Sequence, residues 1–197
     1  KKIVYFLEFI IIKILFIFFQ LIGYRLSSNL GFFIGKTIGP IFRSKKMIIQ
    51  NLDKANIKLS DNPMKIASNV LGNYGRIFAE YVYLKKFRNE ELKRYISIDG
   101  LEHLENLKKS NKKAVFISGH FNNFELMAMQ IEKAGIELAA IYRPLNNIFL
   151  NKTMEKIRKE NICKNQIKKG RAGSREIIEN LIKGKSIALM IDQRVRE

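Results

Sequence analysis

The chain has 197 residues, 47% of them hydrophobic, and carries 36 Lys+Arg against 18 Asp+Glu, a formal net charge of +18. That is enough chain for one domain with a real core, and a single cysteine, Cys163, excludes an internal disulfide, which fits a reducing compartment. A surface this basic seeks anions, whether nucleic acid, anionic lipid or an acidic partner protein, and no nucleic-acid motif is present.

Ile3 to Tyr24 is an apolar run interrupted by Glu8 and Lys13. About 20 helical residues span a bilayer core, so the run reads as a membrane-anchoring helix that either spans or lies embedded. Glu8 and Lys13 are costly at membrane depth unless they snorkel or pair. The long apolar stretch, with no small-residue cleavage site after it, argues against a signal peptide. Arg25, Lys36, Arg43, Lys45 and Lys46 follow the helix and outnumber Lys1 and Lys2 before it, which places the main body in the cytoplasm by the positive-inside rule. Ser27 to Phe42 reads as a second, interfacial helix of the anchor, or its Gly31, Gly35 and Gly39 as simple packing points. Residues 1–42 are thus the expected anchor and 43–197 the expected main domain.

Arg43 to Lys58 is basic and amphipathic. Asp61-Asn62-Pro63 marks a helix start, and Ile66, Val70, Tyr74, Ile77, Phe78 and Tyr81 recur at helical spacing through Met64 to Tyr83. Tyr95 to Ile98 is a strand candidate and Asp99-Gly100 a turn. Leu101 to Ser110 is a polar helix whose His103, near Glu102 and Glu105, reads as a surface residue. Ala114 to Ile117 reads as a buried strand, broken by Ser118 and Gly119. Leu126 to Ile131 is helical, with Gly135 as its C-cap. Ile136 to Tyr142 is the next strand, with Arg143-Pro144 at its tip, and Ile148 to Asn161 the next helix. Lys164 to Lys169 is basic and extended. Gly170 to Ser174 precedes a helix from Arg175 to Lys183 that Gly184 ends, and Ser186 to Ile191 is a strand tipped by Asp192-Gln193. Alternating strands and helices predict an α/β fold.

His120 sits at the tip of one strand and Glu125 in the first turn of the following helix. Open α/β sheets form ligand crevices at such tips, and a helix N-terminus offers free N–H groups to an anion or oxyanion. A His whose second ring nitrogen meets a carboxylate is a general base with a fixed tautomer and a stabilised imidazolium. No Ser, Cys or Thr stands out as a nucleophile, so a substrate hydroxyl is expected to serve. The competing reading is a polar strand end with a capping Asn and a surface Glu.

His120-Phe121-Asn122-Asn123-Phe124-Glu125 resembles the His-x4-Asp/Glu box of the glycerolipid acyltransferase superfamily. It is most similar to the lipid A biosynthesis late acyltransferases (lauroyl and myristoyl transferases), whose pattern is His-Phe-Gly-Asn-Trp-Glu. Asn122 replaces Gly, tolerable because Asn enters left-handed backbone regions. Phe124 replaces Trp, keeping a ring and losing a donor. Neither departure is expected to touch the acid–base pair. Tyr142-Arg143-Pro144-Leu145-Asn146-Asn147 matches the family's Tyr-Arg-Pro-Leu-x-Asn, Gly173 and Arg175 match its Gly-then-Arg helix, Asp192-Gln193 closes its next box, and Asn73-Tyr74-Gly75-Arg76 resembles an upstream segment.

The resemblance implies a mixed central sheet flanked by helices, behind an N-terminal membrane-anchoring helix, in an inner-membrane enzyme with its site on the cytoplasmic side. The family pattern continues past Glu197, so the C-terminal part of the domain is expected to be missing, as is an initiator Met before Lys1. The implied reaction moves a fatty acyl chain from acyl carrier protein to a hydroxyl of a Kdo-bearing lipid A precursor. His120 takes the hydroxyl proton, Glu125 orients His120, and the alkoxide attacks the thioester directly, without cofactor, metal or acyl-enzyme. Arg143, Asp192, Arg175 and Asn123 are the implied substrate contacts. Arg76 reads either as a phosphate contact or as a solvated surface residue. Acyl carrier protein and phosphorylated lipid then account for the basic surface, with no nucleic-acid partner. The alternatives are an acyltransferase for another membrane lipid, such as a phospholipid or an amino-acid lipid, or a basic membrane-tethered binding protein without turnover.

Overall fold

The computed structural model describes residues 1–42, 44–55 and 62–192. Arg43, the end of the expected basic segment at Lys58, Asp61 and Gln193 lie outside the described residues. The chain forms two compact units, Ile12–Tyr83, and Lys1–Ile11 together with Leu84–Glu197.

The first unit is helical. Helix α1 (Lys2–Ile22) ends at Gly23, whose φ of +82° favours glycine, and α2 (Tyr24–Phe42), α3 (Lys45–Lys54) and α4 (Pro63–Glu80) follow. The predicted start of α4 is present: Asn62 accepts from the Met64 N–H at 2.8 Å, and Pro63 takes the first helical position. Helices α2 and α4 meet backbone to backbone. A Cβ on Gly75 would lie 2.1 Å from the Gly31 carbonyl oxygen and 2.7 Å from Gly35 Cα. The α2 glycines are therefore packing points. Buried polar groups tie α2 to its neighbours: Ser28 Oγ donates to Glu80 Oε1 of α4 at 2.7 Å, and Ser27 Oγ to the Phe19 carbonyl of α1 at 2.6 Å. Arg76 donates to Ser28 Oγ at 2.9 Å and lies 5.0 Å from the Phe32 ring centre. Arg76 is thus half-buried and bridges helices rather than being a solvated surface residue.

The second unit holds the sheet. After the short helix α5 (Leu84–Arg88) and α6 (Leu101–Lys109) come β1 (Val115–Ser118), α7 (Glu125–Lys133), β2 (Leu138–Tyr142), α8 (Ile148–Asn161), β3 (Asn165–Lys168), α9 (Arg171–Ile182) and β4 (Ser186–Met190). The strand order is β1-β4-β2-β3, and every pairing among the described residues is parallel. Ala139, Ile167 and Ile187 form the buried centre, with Ile141, Ile177 and Leu189 packed around it. The expected α/β architecture, helices flanking a sheet behind an apolar N-terminal helix, is present.

Four local expectations are corrected. Tyr95 to Ile98 is no strand: Lys93–Tyr95 forms a tight 3-10 turn, and the apolar residues after it find no ladder among the described residues. The basic run at Lys164 does contain a strand, because Ile167 is buried and pairs with Ile141 across β2–β3. Helix α9 begins at Arg171 rather than Arg175, since Gly170, at φ +138°, makes the break and Gly173 lies inside the helix. Strand β1 is not fully buried: it is an edge in the described order, and Val115 and Ile117 point to solvent.

Asn147 anchors the start of α8. Its Oδ1 accepts the Phe149 and Leu150 N–H groups, both at 3.1 Å, and its Nδ2 donates to the Tyr5 carbonyl at 2.8 Å and to Glu8 Oε2 at 2.9 Å. Glu8, which interrupts the apolar run, thus has a hydrogen-bond donor within its own unit.

Candidate active site

Parallel pairing aligns the strand tips on one edge, where ligand crevices form. The register sets Ser118 opposite Met190, and the Ile191 N–H continues the ladder to the Ser118 carbonyl at 3.0 Å. Two residues beyond Ser118 is His120, and two beyond Met190 is Asp192. Equal steps past a matched pair bring the two together. His120 Nδ1 lies 2.8 Å from Asp192 Oδ1, and the His120 backbone N–H donates to Oδ2 at 2.9 Å. Gly119 permits the approach, since a Cβ there would lie 3.3 Å from Asp192 Cγ and 2.8 Å from the Phe121 ring.

The carboxylate on the His120 ring is therefore Asp192, not Glu125 as expected from the spacing. Helix α7 opens at Glu125 and turns that side chain to Arg158 of α8, whose Nη2 and Nε donate to Oε1 at 2.8 and 3.0 Å. The pair is buried. The two carboxylates experience opposite environments. Burial raises the Glu125 carboxyl above its ordinary value, against the pull of the Arg158 guanidinium. Burial also pushes Asp192 up, but the bonds from the His120 backbone and ring, with the ring's charge, outweigh it and hold Asp192 below the usual carboxylate range.

Asp192 fits the tautomer with its proton on Nδ1, which leaves the Nε2 lone pair as the basic site. Among the described residues Nε2 has no hydrogen-bond partner. Phe124 packs edge-on against the imidazole, ring centres 4.6 Å apart, so the Trp-to-Phe departure does touch the acid–base pair. Asn122 has φ +41°, the left-handed backbone expected of it.

Arg143 is exposed at the tip of β2. The segment that carries it is held at both ends by α8: Tyr142 Oη donates to Glu155, and the Leu145 N–H donates to Asn151 Oδ1 at 2.8 Å. Asn151 Nδ2 also reaches Glu155 Oε1 at 2.9 Å. Asn151, Glu155 and Arg158 thus form one face of α8 that holds both loops of the site. Sequence reading missed Arg158 and Glu155. Their i, i+4, i+7 spacing from Asn151 was visible, but such a polar stripe is ordinary on a surface helix. Arg175 lies on α9 with Nε 3.1 Å from Glu179 and is largely solvated. Asn123 is half-buried in the turn between His120 and α7. Cys163 is buried, and burial pushes its thiol up to about 11, which suits packing rather than reactivity. Among the described residues no group of three His, Cys, Asp or Glu side chains is gathered to hold a metal ion.

A family model described as bacterial lipid A biosynthesis acyltransferase matches residues 1–197. The chain belongs to that family. No curated protein matches it. At the strand-tip edge of this family member an imidazole is held by a carboxylate, and Arg143 stands at the tip of β2, which pairs with the same β4.

Proposed function

We propose that this lipid A biosynthesis acyltransferase moves a fatty acyl chain from acyl carrier protein to a hydroxyl of a Kdo-bearing lipid A precursor, with His120 as general base. The observation that carries this reading is the His120–Asp192 contact at the tips of paired parallel strands. Nε2 of His120 takes the proton of the acceptor hydroxyl. The oxygen attacks the thioester carbonyl carbon, the C–S bond breaks, and the departing thiolate takes the proton back from the imidazolium. An ester and a free thiol result. Asp192 holds the tautomer and steadies the imidazolium. Glu125 acts with Arg158, fixing the start of α7 behind the base, and Arg143 meets an anionic part of the substrate or the developing oxyanion. Asn123 and Arg175 are further candidate substrate contacts.

The net charge of +18 suits both an acidic carrier protein and phosphorylated lipid. Among the described residues one helix, α1, is long and apolar enough to cross a membrane. It supports attachment to the inner membrane, and the excess of Lys and Arg after it supports a site on the cytoplasmic side.

The test is incubation of the protein in detergent with acyl carrier proteins of several chain lengths and a lipid A precursor, reading product masses. A mass gain of one acyl chain, lost in His120→Ala, is the expected result. Acylation of a phospholipid or an amino acid instead would replace the acceptor, and no acylation of any acceptor would overturn the reading.

A further inference from the structure

Helix α1 has 21 residues, about 31 Å at 1.5 Å per residue, so length alone lets it cross a bilayer core of about 30 Å. Its polar groups are badly placed for crossing. Lys13 stands one residue from the helix midpoint, where a spanning helix would hold it near the bilayer centre, at a cost of about 3 kcal/mol or more. Glu8 and the Tyr5 carbonyl are committed to Asn147 at the head of α8. One stripe of α1, Tyr5, Phe9, Ile12, Phe16 and Phe19, is shielded along the helix: Phe9 lies against Phe149 within the sheet unit, and Phe16 and Phe19 are buried within the helical unit.

The opposite stripe is open. Ile3 is 77% exposed, Ile14 60% and Leu21 79%, and Leu7, Ile10 and Ile17 lie between them. Lys2, Lys13 and Gln20 are all exposed. At 3.6 residues per turn they fall within about 20° of one line, along one border of the apolar stripe. Helix α2 repeats the arrangement. Leu26, Phe33 and Ile41 are exposed on one side, and Arg25, Asn29 and Lys36 follow one edge beside them. A helix with one apolar face bordered by a basic edge suits the membrane interface rather than its core.

We propose that α1 does not cross the membrane but lies in the plane of one leaflet, its Ile3–Leu21 stripe in the acyl layer and its Lys2–Lys13 edge among anionic headgroups, with the outer stripe of α2 as a second contact. This rests on the reading of α1 as the membrane anchor. It follows that both ends of α1 face the same aqueous side.

The experiment places an environment-sensitive fluorophore at Leu7→Cys, Ile14→Cys or Leu21→Cys in a full-length Cys163→Ser background. Each protein is bound to vesicles of phosphatidylethanolamine and phosphatidylglycerol carrying bromine at defined chain depths. The in-plane arrangement gives all three positions the same quenching profile, strongest at one shallow depth. A deep maximum for Ile14 with shallow maxima for the other two would establish a spanning helix and overturn the proposal. Quenching at none of the three would overturn the anchor reading itself. Lys13→Ala gives opposite signs: in-plane it weakens binding to these anionic vesicles by about fivefold, whereas a spanning helix would be held more firmly.

Discussion

The two units place polar groups in opposite ways. In the helical unit, Ser27, Ser28 and Glu80 are buried among helices that meet at glycines, and their hydrogen bonds run inward to carbonyls, hydroxyls and one another. At the strand tips, His120 is held through one nitrogen by Asp192 while the other has no partner among the described residues. A closed network fixes a shape. A group held on one side only is ready to act on something else. The first cluster is buried and the second partly exposed, and it is the nitrogen left open that separates site from scaffold.

The largest expected effect sets the two against each other directly. His120→Ala should lower turnover by about 10²–10⁴-fold with folding kept, whereas Ser28→Ala should leave turnover per folded molecule unchanged. Single-turnover assays on matched amounts of folded protein check both. Behind the site, Arg158→Ala leaves Glu125 buried without its cation and should cost about 3–5 kcal/mol in denaturant unfolding. Adding Glu125→Gln should recover part of that loss, because no uncompensated charge then remains. In the helical unit, Gly75→Ala forces a methyl into the Gly31 and Gly35 backbone and should cost about 1–3 kcal/mol, with turnover intact well below the melting temperature.

The smallest effect is in pH. Asp192 is held below its ordinary value in the folded protein, so its contribution to stability is present above the unfolded carboxyl value of about 3.9 and is lost as pH falls through the folded one. Melting temperatures measured down a pH series should show that acid loss in the wild type and less of it in Asp192→Asn.

Much of this was legible in the sequence where the signal was local. Helix α8 was bounded correctly because its signal is confined to one local stretch, and Asn62-Pro63 marked α4 for the same reason. Strand β3 was missed as a strand because Asn165-Gln166-Ile167-Lys168 offers one apolar residue, and only its partner β2 makes it pair. The strand tips were readable, since His120, Arg143 and Asp192 each follow a strand. Their pairing was not. His120 and Asp192 are 72 residues apart, and only the β1–β4 register brings them together. Proximity along the chain favoured Glu125, and Arg158, 33 residues further on, claimed it instead.

We expect Asp192, and not Glu125, to set the state of the His120 ring. The chain has two histidines, so a ¹⁵N-histidine spectrum in detergent contains His103 and His120 alone, and His103→Gln assigns them. At alkaline pH, His120 should carry its proton on Nδ1 in the wild type and in Glu125→Gln, and should show a mixture of tautomers in Asp192→Asn. A tautomer that shifts in Glu125→Gln and stays fixed in Asp192→Asn would contradict it.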